Sequence, residues 1–75
     1  MATCLLYRQI PKRMPRFYRV ELAMTLFSEV SVLREWGVSG HHGRCIVDIY
    51  SNLRDASTAA DKHRNRALKR GYARN

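Results

Sequence analysis

Trp36 is the only tryptophan of the chain, and it lies just ahead of a glycine-rich stretch: Arg34-Glu35-Trp36-Gly37-Val38-Ser39-Gly40, with Gly43 and Arg44 beyond. An indole at the mouth of a hairpin can stack on a nucleobase or a sugar. Glycines beside it, Gly37 and Gly40 above all, let a phosphate come close to backbone N–H groups, and Arg34 and Arg44, facing each other across the hairpin, add charge. The same position also suits a core tryptophan near a strand end, so spacing alone leaves both readings open. A second candidate is the segment from Arg8 to Arg19, which carries Arg8, Lys12, Arg13, Arg16 and Arg19 and no acid. Guanidinium forks match phosphate oxygens two at a time, and Arg outnumbers Lys eleven to three. Both constellations point to a polyanion, with nucleic acid ahead of other partners.

Other chemistries find less support. His41 and His42 with Cys45 and His63 are the only set resembling metal ligands, and structural zinc needs four donors at spacings that this set lacks. Adjacent histidines in a hairpin tip are more simply exposed groups that add to phosphate attraction when protonated. No Cys or Ser stands in a motif that brings a His and an acid beside it, and no carboxylate pair is flagged. The expectation is no enzyme, no metal and no cofactor. Cys4 and Cys45 form no CxxC pair and read as small buried hydrophobes in a reducing, cytoplasmic setting. Cys4-Leu5-Leu6-Tyr7 is too short for a signal-peptide core or a membrane span, so a cytosolic, unprocessed chain is expected, nucleoid-associated if it binds DNA.

The elements that must position these residues follow from the pattern. Tyr18, Val20, Leu22 and Met24 alternate with Arg19 and Glu21, which predicts a half-buried strand from Phe17 to Met24. Val30 to Trp36 and Cys45 to Tyr50 predict two more strands, Thr3 to Arg8 a shorter one, and Leu26 to Glu29 a hairpin connection. Pro11 and Pro15 make Gln9 to Arg16 a loop. Three glycines in the seven residues Gly37 to Gly43 make a second hairpin tip. Ser51 or Asn52 can cap a helix that runs from about Leu53 to about Arg70, with Asp55 in its first turn. Leu53, Ala56, Ala59, Ala60, His63, Ala67 and Leu68 project to one side of that helix, with Arg54, Lys62, Arg66 and Lys69 mostly opposite as a solvated face. Arg64 falls at the edge of the apolar side. Gly71 stops the helix, and Tyr72 can fold back onto the core. The expected class is α+β, a small antiparallel sheet of four or so strands against one long C-terminal helix.

Composition agrees. Seventy-five residues with 45% hydrophobic side chains make one small domain with a thin core and no separate catalytic lobe. The net charge of +8 is unevenly placed. Residues 1–20 carry +5, residues 21–53 carry −2 (two bases, four acids) and residues 54–75 carry +5 (seven bases, two acids). Two basic ends flank a scaffold of nearly balanced charge, which favours polyanion binding over an ordinary solvated surface.

Four motifs in order resemble the WGR domain, a family named for a Trp-Gly-Arg tripeptide and found in poly(ADP-ribose) polymerases, in molybdate-regulator-like proteins and as free-standing bacterial proteins. They are Arg16-Phe17-Tyr18-Arg19-Val20-Glu21-Leu22, similar to the family's opening strand; the signature Arg34-Glu35-Trp36-Gly37; the spaced Gly40 and Gly43-Arg44; and the closing Lys69-Arg70-Gly71-Tyr72. The resemblance covers about residues 5–72 of one domain spanning 1–75 and is nearest to the compact bacterial type. It implies an antiparallel sheet with a long helix across it, a DNA-facing role for Trp36 and a turn at Gly37 and Gly40. Val38 stands where the family carries its signature arginine, a residue implicated in DNA or interdomain contacts. The expectation is a DNA-binding module that contacts phosphates through Arg8, Lys12, Arg13, Arg16 and Arg44. The alternative is an adaptor that docks an acidic protein. No membrane role is expected, because the basic helix offers mostly alanine on its apolar side, and the pattern sets no oligomeric state.

Overall fold

The computed structural model describes residues Ala2 to Arg74. Its elements are β1 (Ala2–Arg8), β2 (Arg16–Met24), β3 (Val30–Val38), β4 (Arg44–Tyr50) and α1 (Leu53–Lys69). The strands form one antiparallel sheet in the order β1-β2-β3-β4, and α1 packs across one face against β2, β3 and β4. This is the expected α+β layout, with each strand reaching one or two residues further than alternation alone suggested.

Strand alternation decides which side chains meet the helix. Tyr18, Val20 and Leu22 of β2 and Val30 and Val32 of β3 turn toward α1, where Ala56 and Ala60 complete the core. Leu6, Val30 and Val32 are fully buried, each worth about 1.5–3 kcal/mol. Three of the seven buried side chains are alanines, Ala56, Ala60 and Ala67, so the helix lies close to the sheet and the core is thin. On the other face Arg19 donates to Glu35 Oε1 at 2.7 and 3.1 Å and to Glu21 Oε2 at 3.2 Å. That neutralises one of the five bases of the amino-terminal block.

The helix starts where Asn52 caps it. Its Oδ1 accepts from the Asp55 N–H at 2.8 Å and its Nδ2 donates to Asp55 Oδ2 at 3.1 Å, a cap worth about 1 kcal/mol. It ends in a Schellman motif: Gly71 takes φ +94°, the Gly71 N–H reaches Leu68 O and the Tyr72 N–H reaches Ala67 O. Ala73 then pairs with Tyr7 through two 2.8 Å bonds and covers the outer edge of β1.

Three expectations need correction. Cys45 is exposed and Cys4 only half-buried, because β4 is an edge strand and β1 is covered at one point alone. Leu53 and Leu68 are 49% and 45% exposed, since the buried stripe begins at Ala56, one turn after Leu53, and Leu68 sits at its margin. Arg34 and Arg44 do not face each other: the register pairs Trp36 with Arg44 and Arg34 with Ile46.

Candidate nucleic-acid interface

The sheet register gathers the candidate residues at one end of one face. Leu6, Tyr18, Trp36 and Arg44 form a row across the four strands, and Arg8, Arg16 and Val38 form the next row outward. Tyr18 belongs to the face that meets α1, so by register Trp36, Arg44, Arg8, Arg16 and Val38 lie on that face too. The carboxyl end of α1 arrives at the same place, and a Cβ on Gly71 would sit 4.0 Å from Arg8 Nε. Unpaired carbonyls at a helix C-terminus favour cations, so Arg8 is well placed there.

Between sheet and helix lies a cleft of about 240 Å³. Tyr18, Trp36 and Tyr72 make its aromatic wall, and Arg34, Arg66, Arg70 and His63 supply its polar groups. Tyr18 stacks beside Trp36 with centroids 6.2 Å apart, Tyr72 meets Tyr18 edge-on at 5.8 Å, and the Arg34 guanidinium lies 6.0 Å from the centre of the indole. Trp36 also borders a second, more open cleft with Arg16, Val38, His41, His42 and Arg44. The indole is half-buried rather than enclosed, which leaves part of its surface free to meet a ligand.

Arg8, Arg16 and Arg44 are exposed. Arg8 and Arg16 stand directly opposite each other on neighbouring strands, an unfavourable like-charge pair. Lys12 and Arg13 occupy the exposed β1–β2 loop, where Lys12 takes φ +61°. A 2.8 Å bond from the Ser39 N–H to Pro15 O ties this loop to the glycine loop beyond β3. Among the described residues, ion pairs engage only Arg19, Arg34 and Arg64 of the eleven arginines. Arg34 pairs with Asp48 at 3.7 Å, while its Nε is buried without a partner.

The glycines divide by role. Gly40 takes φ +84° at the loop tip with open space around it. At Gly37 a Cβ would lie 2.9 Å from Gly43 Cα and 3.6 Å from the Phe17 ring. On that side Gly37 serves the packing of the hairpin, while it also lines the open cleft beside Trp36.

Sequence reasoning passed over Tyr18, Arg66, Arg70 and Tyr72 as ligand-facing groups and weighed His63 only as a metal ligand. His63, Arg66, Ala67 and Arg70 share the i, i+3, i+4, i+7 spacing of one helical stripe. The expected helix faces split that stripe into apolar and solvated halves; Arg66 is exposed as expected and also lines the cleft. Burial lowers the pKa of His63 below its usual 6.5, and Arg34 and Arg66 lower it further against a smaller pull from Asp48. The imidazole thus stays neutral in the folded chain at pH values where the unfolded chain takes up a proton. Its effect on stability is nil above about pH 6.5 and becomes destabilising as the pH falls below that value.

Among the described residues no helix is long and apolar enough to cross a membrane. Neither a curated protein nor a solved structure matches the chain. The family model described as the WGR domain matches residues 1–75, the whole of it. With the sheet, the crossing helix and the Trp36 hairpin in place, the chain belongs to the WGR family, whose members are non-catalytic binding domains.

Proposed function

We propose that the chain is a non-catalytic DNA-binding module that grips phosphates with Arg8, Lys12, Arg13, Arg16 and Arg44 and presents Trp36 to an exposed sugar or base. The observation that carries this reading is the meeting of three unpaired arginines from β1, β2 and β4, Arg8, Arg16 and Arg44, in register beside Trp36 at one end of the helix face, with Arg66 of α1 lining the cleft that the indole borders. A folded chain that holds Arg8 directly against Arg16 has a local excess of positive charge that a polyanion would relieve. Arg16, directly opposite Val38, is the cation nearest in register to the missing signature arginine. Arg34 is a weaker replacement because Asp48 already neutralises it.

Affinity should be mostly electrostatic and weakly sequence-specific, since α1 packs on the sheet rather than standing free as a recognition helix. With about five phosphates neutralised, log K against log salt should slope at about −4 to −5 on duplex DNA. Fluorescence anisotropy across a salt series checks this, and an affinity nearly independent of salt rejects it.

Bound phosphate near the cleft raises the pKa of His63, so binding is accompanied by proton uptake. Affinity is expected to rise as the pH falls. Calorimetry in buffers of different ionisation heat reads that uptake directly, and His63→Gln should reduce it.

A second reading, an adaptor that docks a protein, draws on the far end of the β2–β3 hairpin. Leu26 and Phe27 are 98% and 82% exposed on a turn held by Thr25, whose Oγ1 accepts from the N–H groups of Phe27 and Glu29 at 3.2 Å. Gel shifts with blunt duplex, nicked duplex, single-stranded DNA and RNA separate the readings. Binding to none of the four favours the adaptor.

A further inference from the structure

The two edges of the sheet differ. Ala73 covers β1 at Tyr7, whereas among the described residues nothing pairs with the outer edge of β4. Five of the seven β4 residues are exposed: Arg44, Cys45, Ile46, Val47 and Ile49. Natural edge strands are protected by proline, charged side chains, a bulge, brevity or a covering segment. β4 has no proline or bulge, is seven residues long with an unbroken register to β3, and carries charge only at Arg44 and Asp48.

The exposed apolar groups of β4 lie on both faces of the sheet. Ile46 is on the helix side, while Val47 and Ile49 are on the open side, at 41%, 51% and 51% exposure. A partner resting on one face would cover only part of them. A strand running alongside the edge covers both sets and satisfies the outward backbone groups as well.

We propose that the outer edge of β4 pairs antiparallel with β4 of a second copy, joining two four-stranded sheets into one of eight strands. The sequence of the strand selects this occupant. With Ile46 on the two-fold axis, Ile46 faces Ile46, Cys45 faces Val47, and Arg44 of each copy faces Asp48 of the other. Two opposite-charge pairs then flank an apolar centre, each Asp48 being shared with Arg34 of its own copy. Shifting the axis to Val47 sets Ile46 against Asp48 and Arg44 against Tyr50, which loses both pairs. β4 carries one base and one acid, so its zero net charge lets two chains of +8 meet at this edge. In the joined sheet both helices lie on the same face, with the two Trp36 clefts at opposite ends of it.

Sedimentation velocity over a wide concentration range tests the association. The mass is expected to rise from 8.8 kDa to twice that value, and Ile46→Lys should hold it at 8.8 kDa with unchanged circular dichroism. Cross-linking tests the register without relying on a disruptive variant. In a Cys45→Ser background, Ile46→Cys places two thiols at facing positions whose Cα atoms are about 4.5–5.5 Å apart, a span that a disulfide bridges. Mild oxidation should yield a covalent dimer much faster than Leu68→Cys in the same background. A chain that stays monomeric at high concentration overturns the proposal, as does Ile46→Cys cross-linking no faster than Leu68→Cys. Preferential cross-linking of Val47→Cys in that background overturns the register and its Arg44–Asp48 pairs. None of these readouts involves nucleic acid, so the DNA-binding reading stands or falls separately.

Discussion

Replacing Gly43 with alanine is expected to destabilise the fold by about 3 kcal/mol, the upper end of the usual cost of overpacking, and to lower the melting temperature by roughly 12–24 °C. A Cβ at this position would lie 2.4 Å from Trp36 O, 3.0 Å from Trp36 C and 3.0 Å from the Phe17 ring. The first two neighbours are backbone of the strand that carries the indole, so the hairpin has to open to make room. Gly40→Ala provides the contrast. It meets nothing within 4 Å, and its φ of +84° alone penalises the side chain, at a cost of about 1–2 kcal/mol. Thermal melts of the two variants should rank Gly43→Ala well below Gly40→Ala. Equal melting temperatures would show that the hairpin yields to the extra methyl group.

Trp36→Ala is expected to weaken binding to duplex DNA by roughly 1–3 kcal/mol if the indole stacks on nucleic acid, about a 5- to 150-fold rise in Kd. The fold should survive, because the buried core runs through Leu6, Val20, Val30, Val32, Ala56, Ala60 and Ala67 without it. Its neighbours Tyr18 and Tyr72 touch each other independently of the indole. Anisotropy titrations read the affinity, and circular dichroism reads the fold. A variant that unfolds returns Trp36 to the core, and one that binds DNA as the parent chain does removes the indole from the interface.

The pattern of residues foretold the elements well where a single period governs. Val20 and Leu22 against Arg19 and Glu21 mark β2, and the caps around Asn52 and Gly71 bracket α1. Val30 to Val38 shows where such reading stops short: Gly37 argues against a strand, yet β3 runs through it because Gly43 opposite it also lacks a side chain. The cleft was harder to foresee. A helical projection fixes angles about the helix's own axis but not which stripe borders the sheet, so Arg66 was legible as an exposed base and not as part of the cleft. Arg8, Arg16 and Arg44 were visible as bases. Their meeting beside Trp36 depends on register, which turns and pairing set between segments far apart in sequence. Val38 as a departure from the family signature was legible at once, whereas Arg16 as its cross-strand neighbour was not.

The bridge between Tyr7 and Ala73 has a bearing on how this molecule opens. Every strand pairs only with its neighbour in sequence, so the sheet is a chain of local hairpins that holds together without its carboxyl end. The cleft does not share that autonomy. Tyr72 and Arg70 are held in place by the Schellman turn and by the two bonds of Ala73, some sixty-five residues from their partner. Fraying of the last few residues would dismantle one wall of the cleft while leaving the hairpins intact. Local opening at the carboxyl end, which requires far less free energy than global unfolding, would therefore reshape the cleft long before the hairpins separate.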